Sequence, residues 1–338
     1  MIPATQDLQL NIVRYTAEQK TVWDSFVATS KNGTFLFMRD YMDYHADRFA
    51  DHSLMFYKGG RLIALLSGNE SDDTYYSHGG LTYGGFILSY HATATVVLEA
   101  FYLLCRYLKG TAGVGRIVYR TIPFIYHNYP SEEDLYALFR LNARLTERKI
   151  SSVVIPEKGY PFSTLRRRKL KQARNHGLKV CQDENFDAFW PVLEQNLQQR
   201  HDRLPVHSLK EMVCLSRLFP EEIKLYRVLD GEETVGGCVM YLTGEVAHVQ
   251  YIASTGQGRE MGALDILFDY LIHQIYTDRK YFDFGVSVED GGRYLNEGLI
   301  FQKEGFGGRA VMYDTYELSL KSVPVSYTHL TLPTNSRV

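Results

Sequence analysis

Two short, glycine-bearing turns constrain this chain more than any other feature. In the first, LMFY and RLIALLS within Ser53 to Ser67 are strand-forming runs separated by Lys58-Gly59-Gly60. In the second, Ile223 to Leu229 and Thr234 to Leu242 flank Asp230-Gly231. A connection this short joins only antiparallel neighbours, because parallel strands need a crossover of about a dozen residues or more. Both runs therefore read as antiparallel hairpins, which argues against a doubly wound dinucleotide-binding sheet. The similar place and character of the hairpins in the two halves point to an internal duplication. A length of 338 residues, 45% of them hydrophobic, suits two cored domains.

The remaining elements fit an α+β chain. Gln9 to Tyr15 alternates as a strand, and Glu18 to Ala28 carries Val22, Trp23, Phe26 and Val27 on one helical face. Met38 to Phe49 reads as a helix with a solvated, mixed-charge face. Between Tyr75 and Leu88 two Gly-Gly pairs flank Leu81, Thr82 and Tyr83 in a strand-like run, which marks a bulge or the close approach of a ligand. His78 in this run reads as a structural histidine. Ala92 to Lys109 is an apolar helix, Arg116 to Arg120 a strand, and Ser131 to Asp134 a capping box opening a helix to Arg140. Ser151 to Ile155 is a short strand. Residues 1–160 form the first domain, 161–178 a basic linker helix and 179–320 the second domain. There, Phe186 to Gln199, Ser208 to Leu218 and Ala263 to Tyr276 read as helices, and Val246 to Ser254 and Ala310 to Leu320 as strands. Residues 321–338 resemble translated adaptor sequence and are expected to be non-native and poorly ordered.

Composition narrows the function classes. A formal net charge of -2 gives no global argument for nucleic acid or membrane. Cys105, Cys181, Cys214 and Cys238 are scattered, which disfavours a metal site or a disulfide framework and suits a reducing cytoplasm. No signal peptide or membrane-spanning run is evident, so membrane insertion is not expected.

Chemistry concentrates in three stretches. Tyr281 to Gly308 opens as a strand with Asp283 set among Tyr281, Phe282 and Phe284. An apolar strand does not ordinarily carry a carboxylate there. Gly285, a polar turn with Glu289 and Asp290, and a segment with Asn296 and Lys303 follow. Thr255 to Gly262 is a glycine-rich loop between a strand and a helix N-terminus, where free N–H groups and the helix dipole favour an anion. LRRRKLKQAR, Leu165 to Arg174, is a basic helix with Leu165, Leu170 and Ala173 as an apolar seam. It reads either as a tRNA or phosphate contact or, preferably, as a solvated linker helix.

FDFG, the ED turn and NEGLIFQKEGFGG together resemble the C-terminal signature of the FemAB-like branch of the GNAT acyltransferases, and GGLTYGG resembles a run found in the same proteins. The resemblance extends from about Gln9 to Leu320 and implies two tandem GNAT-like domains, with mixed, mostly antiparallel sheets flanked by helices. The glycine-rich loop resembles the GNAT pyrophosphate loop: Arg259 and Gly262 fit the pattern, and Leu264 stands where the pattern has a small residue. The implied donor is acyl-CoA, acetyl-CoA in the simplest case, held by Tyr251, Ile252, Gly256, Gly258, Arg259 and Gly262, with no metal. A strand bulge near Tyr251 to Ala253 is the implied oxyanion donor. The implied catalytic residues are Lys303, as a cation at the reacting charge, and Asp283 or Glu289 as proton acceptor. Tyr83, Gly84, Arg293 and Asn296 are assigned to the acceptor, a small-molecule amine such as an amino sugar or a cell-envelope precursor. Two alternatives stand beside acyl-CoA transfer: aminoacyl-tRNA-dependent peptidyl transfer of Fem type, and a non-catalytic sugar- or nucleotide-binding module.

Overall fold

A computed structural model describes residues 10–111, 113–201 and 204–321. They cluster into two compact units, one within Met1–Gly33, His45–Thr146 and Asp314–Val338, the other within Thr34–Tyr44 and Glu147–Tyr313. The basic helix thus lies inside the second unit. The adaptor-like tail beyond Lys321 lies outside the described residues.

The first unit contains β1 (Leu10–Arg14) and α1 (Lys20–Thr29); α2 (Arg39–Met42) clusters with the second. Next come β2 (Leu54–Lys58), β3 (Arg61–Leu66), β4 (Asn69–Ser71), β5 (Thr74–Tyr76), β6 (Phe86–Leu88), α3 (Ala94–Lys109), β7 (Arg116–Arg120) and α4 (Glu133–Arg140). One sheet has the antiparallel order β1-β2-β3-β6. The first hairpin forms as the sequence predicts: Lys58 pairs Arg61 across Gly59 and Gly60, whose φ values of 55° and 74° are open to glycine. The core is aromatic, with Phe86 5.0 Å from Phe56 and 4.9 Å from Phe101 between ring centroids.

Three expectations for the N-terminal half of the sequence change. The Met38–Phe49 helix reduces to α2 and a 3-10 turn, Asp43–His45. The Ser131 capping box does not form, because the helix begins at Glu133. The Asp134 carboxylate instead takes the Tyr119 hydroxyl at 2.9 Å and the Leu135 N–H at 2.8 Å. The GGLTYGG run is a loop between β5 and β6, held by Arg120, which donates to the carbonyls of Gly79 (3.2 Å) and Leu81 (2.9 Å). Tyr83 is buried, with its ring 4.5 Å from that of Tyr126. A Cβ on Gly84 would stand 1.8 Å from the Ser77 carbonyl oxygen. Close backbone packing inside this unit therefore accounts for Gly84 without a ligand.

The second unit contains β8 (Arg144–Val154, from Glu147), α5 (Thr164–Asn175), β9 (Lys179–Asp183), α6 (Phe186–His201), α7 (Leu209–Leu218), β10 (Ile223–Asp230), β11 (Glu233–Leu242) and β12 (Val246–Ser254). After these come α8 (Gly256–Met261), α9 (Ala263–Tyr270), β13 (Tyr281–Val286), β14 (Val288–Glu289), β15 (Tyr294–Leu295), α10 (Glu297–Gly305) and β16 (Arg309–Ser319), which passes into the first unit after Tyr313. The sheet order is β8-β13-β12-β11-β10-β9. These neighbours pair antiparallel except β12 and β13, which are parallel. Their crossover carries α8 and α9, and the helix expected to reach Tyr276 passes after Tyr270 into a π-turn, Leu271–Ile275. In α7 the Ser208–Glu211 capping box closes as its sequence dictates.

The packing at Gly84 is directly testable. Gly84→Ala forces a methyl into the Ser77 carbonyl, and overpacking of this kind costs about 1–3 kcal/mol. Denaturant unfolding should show that loss, and a wild-type midpoint in the variant would contradict the close packing.

Candidate functional site

The parallel pair β12–β13 is where the site begins. Ladder pairing runs Val246–Tyr281, Ala247–Phe282 and His248–Asp283, and stops there. β12 nevertheless continues to Ser254, paired on its other side with β11. The edge of β12 from Val249 to Ser254 thus faces away from any ladder partner on the β13 side. On that same stretch Val239 faces Tyr251 and Met240 faces Val249, so Gln250 is the extra residue of a bulge. The bulge lies one residue before the predicted span. A cavity opens beside the parted strands, with about 590 Å³ of empty space, part of it continuous with solvent. Val249, Ile252, Ala253 and Ser254 line it from β12, Phe284 from β13, and Lys303 from α10.

Asp283 fixes the point of divergence. It is wholly buried. Its Oδ1 accepts from the Ser151 hydroxyl and from the Gly285 N–H (2.9 Å), and its Oδ2 from His248 Nδ1 (2.9 Å) and the Tyr313 hydroxyl (2.6 Å). Burial acts to raise this carboxyl, but His248 and the hydrogen bonds from Ser151 and Tyr313 outweigh it and hold the group well below the usual carboxylate range. A carboxylate so stabilised and so fully engaged is a poor proton acceptor. Its place between β8, β12 and β16 makes it the pin of the sheet.

Lys303 stands on the other wall. Asn296 caps α10 by accepting from the Leu299 N–H at 3.0 Å, so the helix has a fixed start. That start sets Leu299, Gln302, Lys303 and Phe306 against the cavity. Lys303 is 7% exposed, and its ammonium donates to the carbonyls of Gly285 and Val286, both at 2.8 Å. Desolvation pushes its pKa down to about 8, with Asp283 acting in the opposite direction. Phe268, Phe284 and Phe306 form an aromatic floor, with centroids 4.9 Å apart for Phe268–Phe284 and 5.2 Å for Phe268–Phe306.

The glycine-rich loop folds as α8, entered through Thr255, whose hydroxyl accepts from the Gly258 N–H at 2.9 Å. The Ser254 carbonyl is fixed by two donors, Asn196 Nδ2 at 2.6 Å and Arg259 Nη1 at 3.1 Å. Arg259 and Leu264 both line the cavity, so the leucine in the small position of the pattern narrows this wall. Gly258 and Gly262 serve packing: a Cβ on them would stand 2.0 Å from the Val235 carbonyl oxygen and 2.6 Å from that of Lys169. Gly256 has nothing nearer than 3.9 Å and is the open position of the loop. Helix α5 braces this region. Arg166 pairs with Asp265 (3.1 Å) and Arg174 with Asp269 (2.8 Å), while Lys169 and Gln172 donate to the Glu260 carbonyl. The solvated-linker reading therefore misses its role: much of its charge is spent on α8 and α9.

Of the residues singled out in the sequence, Ile252, Arg259 and Lys303 meet at this cavity. Tyr251 does not line it, because its hydroxyl is turned to His207 Nδ1 at 2.6 Å and its ring to Trp190. Glu289 and Arg293 are exposed on the β14–β15 hairpin, and Glu289 accepts from Asn296 Nδ2 at 3.4 Å. Tyr83 and Gly84 belong to the other unit. Sequence reasoning missed Asn196, His248, Phe268 and Gln302. Nothing in local spacing marks them, since α6, β12, α9 and α10 bring them in from distant segments. Among the described residues no three His, Cys, Asp or Glu side chains gather as a metal site, and no helix is long and apolar enough to cross a membrane.

Comparison with known proteins agrees with this geometry. Residues 163–294 match the model of the acetyltransferase (GNAT) domain. No curated protein sequence matches the chain significantly. Among solved structures, FemX superposes with a TM-score of 0.62 over 93% of this chain and 98% of its own, at 10% identity. The C-terminal domain of a lysylphosphatidylglycerol synthetase, a putative one from Agrobacterium fabrum, gives 0.58 over 90% and 92%, at 10% identity. A tandem GNAT protein from the clavulanic acid biosynthesis pathway gives 0.52 over 92% and 99%, at 11% identity. Residues 163–294 thus carry a GNAT domain, and along its length the chain has the fold of FemX and of the tandem GNAT protein.

Proposed function

We propose that the protein is an N-acyltransferase that moves an acyl group from a CoA thioester to the amine of a small acceptor. The observation that carries this reading is the parting of β12 from β13 beside a cavity. A pantetheine arm is an extended, amide-bearing chain, and an unladdered strand edge offers it N–H and C=O groups at the right repeat. The residues fit such a donor. The edge from Val249 to Ser254 supplies backbone groups, the aromatic floor suits the apolar part, and Arg259 and the Gly256 side of α8 suit a phosphate.

Transfer requires the amine nitrogen to bond to the thioester carbonyl carbon, the C–S bond to break, and one amine proton to be lost. Charge develops on the carbonyl oxygen as the amine attacks. An N–H at the Gln250 bulge, next to the cavity-lining Val249, and the Lys303 ammonium in the cavity wall are suited to oppose it. The acceptor class follows from the resemblance: an amino sugar or a cell-envelope precursor, in a cytoplasmic setting. The FemX and lysylphosphatidylglycerol synthetase folds keep a second reading in view, transfer of an amino acid from aminoacyl-tRNA. What favours it is that Arg167, Arg168 and Lys171 are exposed on α5.

Calorimetric titration with acetyl-CoA should give one site per chain, and Arg259→Ala should weaken it by on the order of tenfold, the loss of a charge-assisted contact. Absence of acetyl-CoA binding together with product formed from aminoacyl-tRNA would move the assignment to the second reading. Lys303→Ala should lower turnover by on the order of a hundredfold with the fold intact, and wild-type turnover in that variant would remove its role. Lys303 also gives a pH signature. Its folded pKa of about 8 lies below the ordinary value of 10.5, so the unfolded chain binds more protons between these limits. Stability relative to Lys303→Met should therefore rise with pH across that window. A flat difference in melting temperature between pH 8 and 10.5 would show that the ammonium is solvated.

A further inference from the structure

Resting on the acyl-transfer reading, we propose that two side-chain amides, Asn196 and Gln302, read the two amides of the donor's pantetheine arm and so select thioesters that carry both. They are the side-chain amides among the described residues that line the cavity. Asn196 comes from α6 and stands at the α8 end of the open β12 edge, where its Nδ2 holds the Ser254 carbonyl at 2.6 Å. Gln302 comes from α10 and precedes Lys303, whose ammonium grips the Gly285 and Val286 carbonyls where the strands part. The two amides thus mark the two ends of the edge that runs from Val249 to Ser254.

The strand itself shows why a side chain is needed. Thr255 donates its N–H to the Val235 carbonyl at 3.0 Å. Main-chain groups alternate in direction along a strand, so Tyr251 and Ala253 also turn theirs to β11, while Ile252 and Ser254 turn theirs to the open side. A donor chain on that side meets the Ser254 carbonyl, but this oxygen already takes Asn196 Nδ2 and Arg259 Nη1. Two donors fill its two lone pairs, so a donor amide at this level needs another acceptor. A carbonyl oxygen only accepts, so Asn196 presents its nitrogen to Ser254 and keeps Oδ1 for a different donor. Among the described residues nothing donates to that oxygen, and the Gln302 amide has no hydrogen-bond partner. Both side chains are half-buried, so water meets them in the free protein. A bound chain must replace that water. An apolar chain would leave both amides unsatisfied, at a cost in free energy, whereas an amide-bearing chain replaces the water in kind.

The direction of the donor assigns each contact. The thioester lies at the Lys303 end, and the cysteamine amide is the one nearer the sulfur, so Gln302 meets that amide. The phosphate lies at the end with Arg259 and Gly256, and the pantoyl amide is the one nearer it, so its N–H donates to Asn196 Oδ1.

The test uses three acetyl thioesters: that of N-acetylcysteamine, which has the cysteamine amide alone, that of pantetheine, which has both amides, and acetyl-CoA, which adds the phosphates. Dissociation constants come from calorimetry, with the weaker ligands measured by competition against acetyl-CoA. Asn196→Leu should weaken acetylpantetheine and acetyl-CoA by the same factor, roughly 3- to 10-fold for one neutral hydrogen bond, and the cysteamine thioester much less. Gln302→Met should weaken all three, and Arg259→Ala acetyl-CoA above all. An Asn196 that merely holds Ser254 and the entry to α8 would act through the phosphate instead, and acetyl-CoA would then lose far more than acetylpantetheine. One analogue closes the cycle: acetylpantetheine with an ester oxygen in place of the pantoyl N–H. Wild type should bind it roughly 3- to 10-fold more weakly than acetylpantetheine, and Asn196→Leu should bind the two alike. Equal binding of amide and ester by the wild type, a comparison that needs no variant to fold, overturns the proposal. So does a loss in Asn196→Leu confined to acetyl-CoA, or an unchanged cysteamine thioester in Gln302→Met. A wild type that binds none of the thioesters removes the acyl-transfer reading first, and this proposal with it.

Discussion

The second unit depends on where β12 and β13 stop pairing. Two parallel strands in one sheet normally stay laddered for as long as both are extended, because every unpaired buried amide costs free energy. Here the ladder ends at His248–Asp283, and the reason is visible in the side chains. The buried Asp283 carboxylate needs donors more than β13 needs another rung, and it draws them from β8, β12, β16 and its own Gly285. The left-handed Gly285, φ 74°, turns the strand as the carboxylate takes its N–H. Its carbonyl and that of Val286 then go to Lys303 in place of a neighbouring strand. Carboxylate and ammonium stabilise one another's hydrogen-bond sets on the two sides of that turn, and the cavity is the space their arrangement leaves.

The architecture around the gap serves to hold it open. Helix α5 clamps α8 and α9 through Arg166–Asp265 and Arg174–Asp269, and Gly262 lets α9 approach the Lys169 carbonyl closely enough for those pairs to form. On the facing side the capped start of α10 fixes Lys303 in register. Individually, partly exposed ion pairs contribute little. Here they act on position, because a rotation of α9 or α10 would move the walls of the cavity.

Much of this was legible in the sequence. The hairpins at Lys58-Gly59-Gly60 and Asp230-Gly231 dictate antiparallel pairing through turn chemistry alone, and a strand carrying Asp283 among aromatics had to satisfy that carboxylate somewhere. Lys303, Arg259 and Ile252 could be named because the motifs that carry them are contiguous. What was not legible depends on long-range partners. Asn196 and His248 meet the site only after the sheet is assembled. Tyr251 and Ile252 are neighbours with opposite fates, since side chains alternate along a strand and a bulge at Gln250 resets which face is inward. Glycines carry a second constraint that the sequence did not show. Gly84, Gly258 and Gly262 fit ligand-binding patterns, and each is also required by backbone packed against it. The charge run on α5 gave no sign that α9 held its counter-charges.

Amide hydrogen exchange with and without acetyl-CoA tests the central claim most directly, that the parted edge of β12 is where the donor binds. These amides lack a ladder partner toward β13, so a bound donor chain should be what protects them. At saturating acetyl-CoA, exchange should slow at Val249 to Ser254 and at Gly256 to Gly262, while the paired rungs Val246 to His248 stay as they were. Unchanged exchange along Val249 to Ser254 in a protein demonstrably bound to acetyl-CoA would contradict the account.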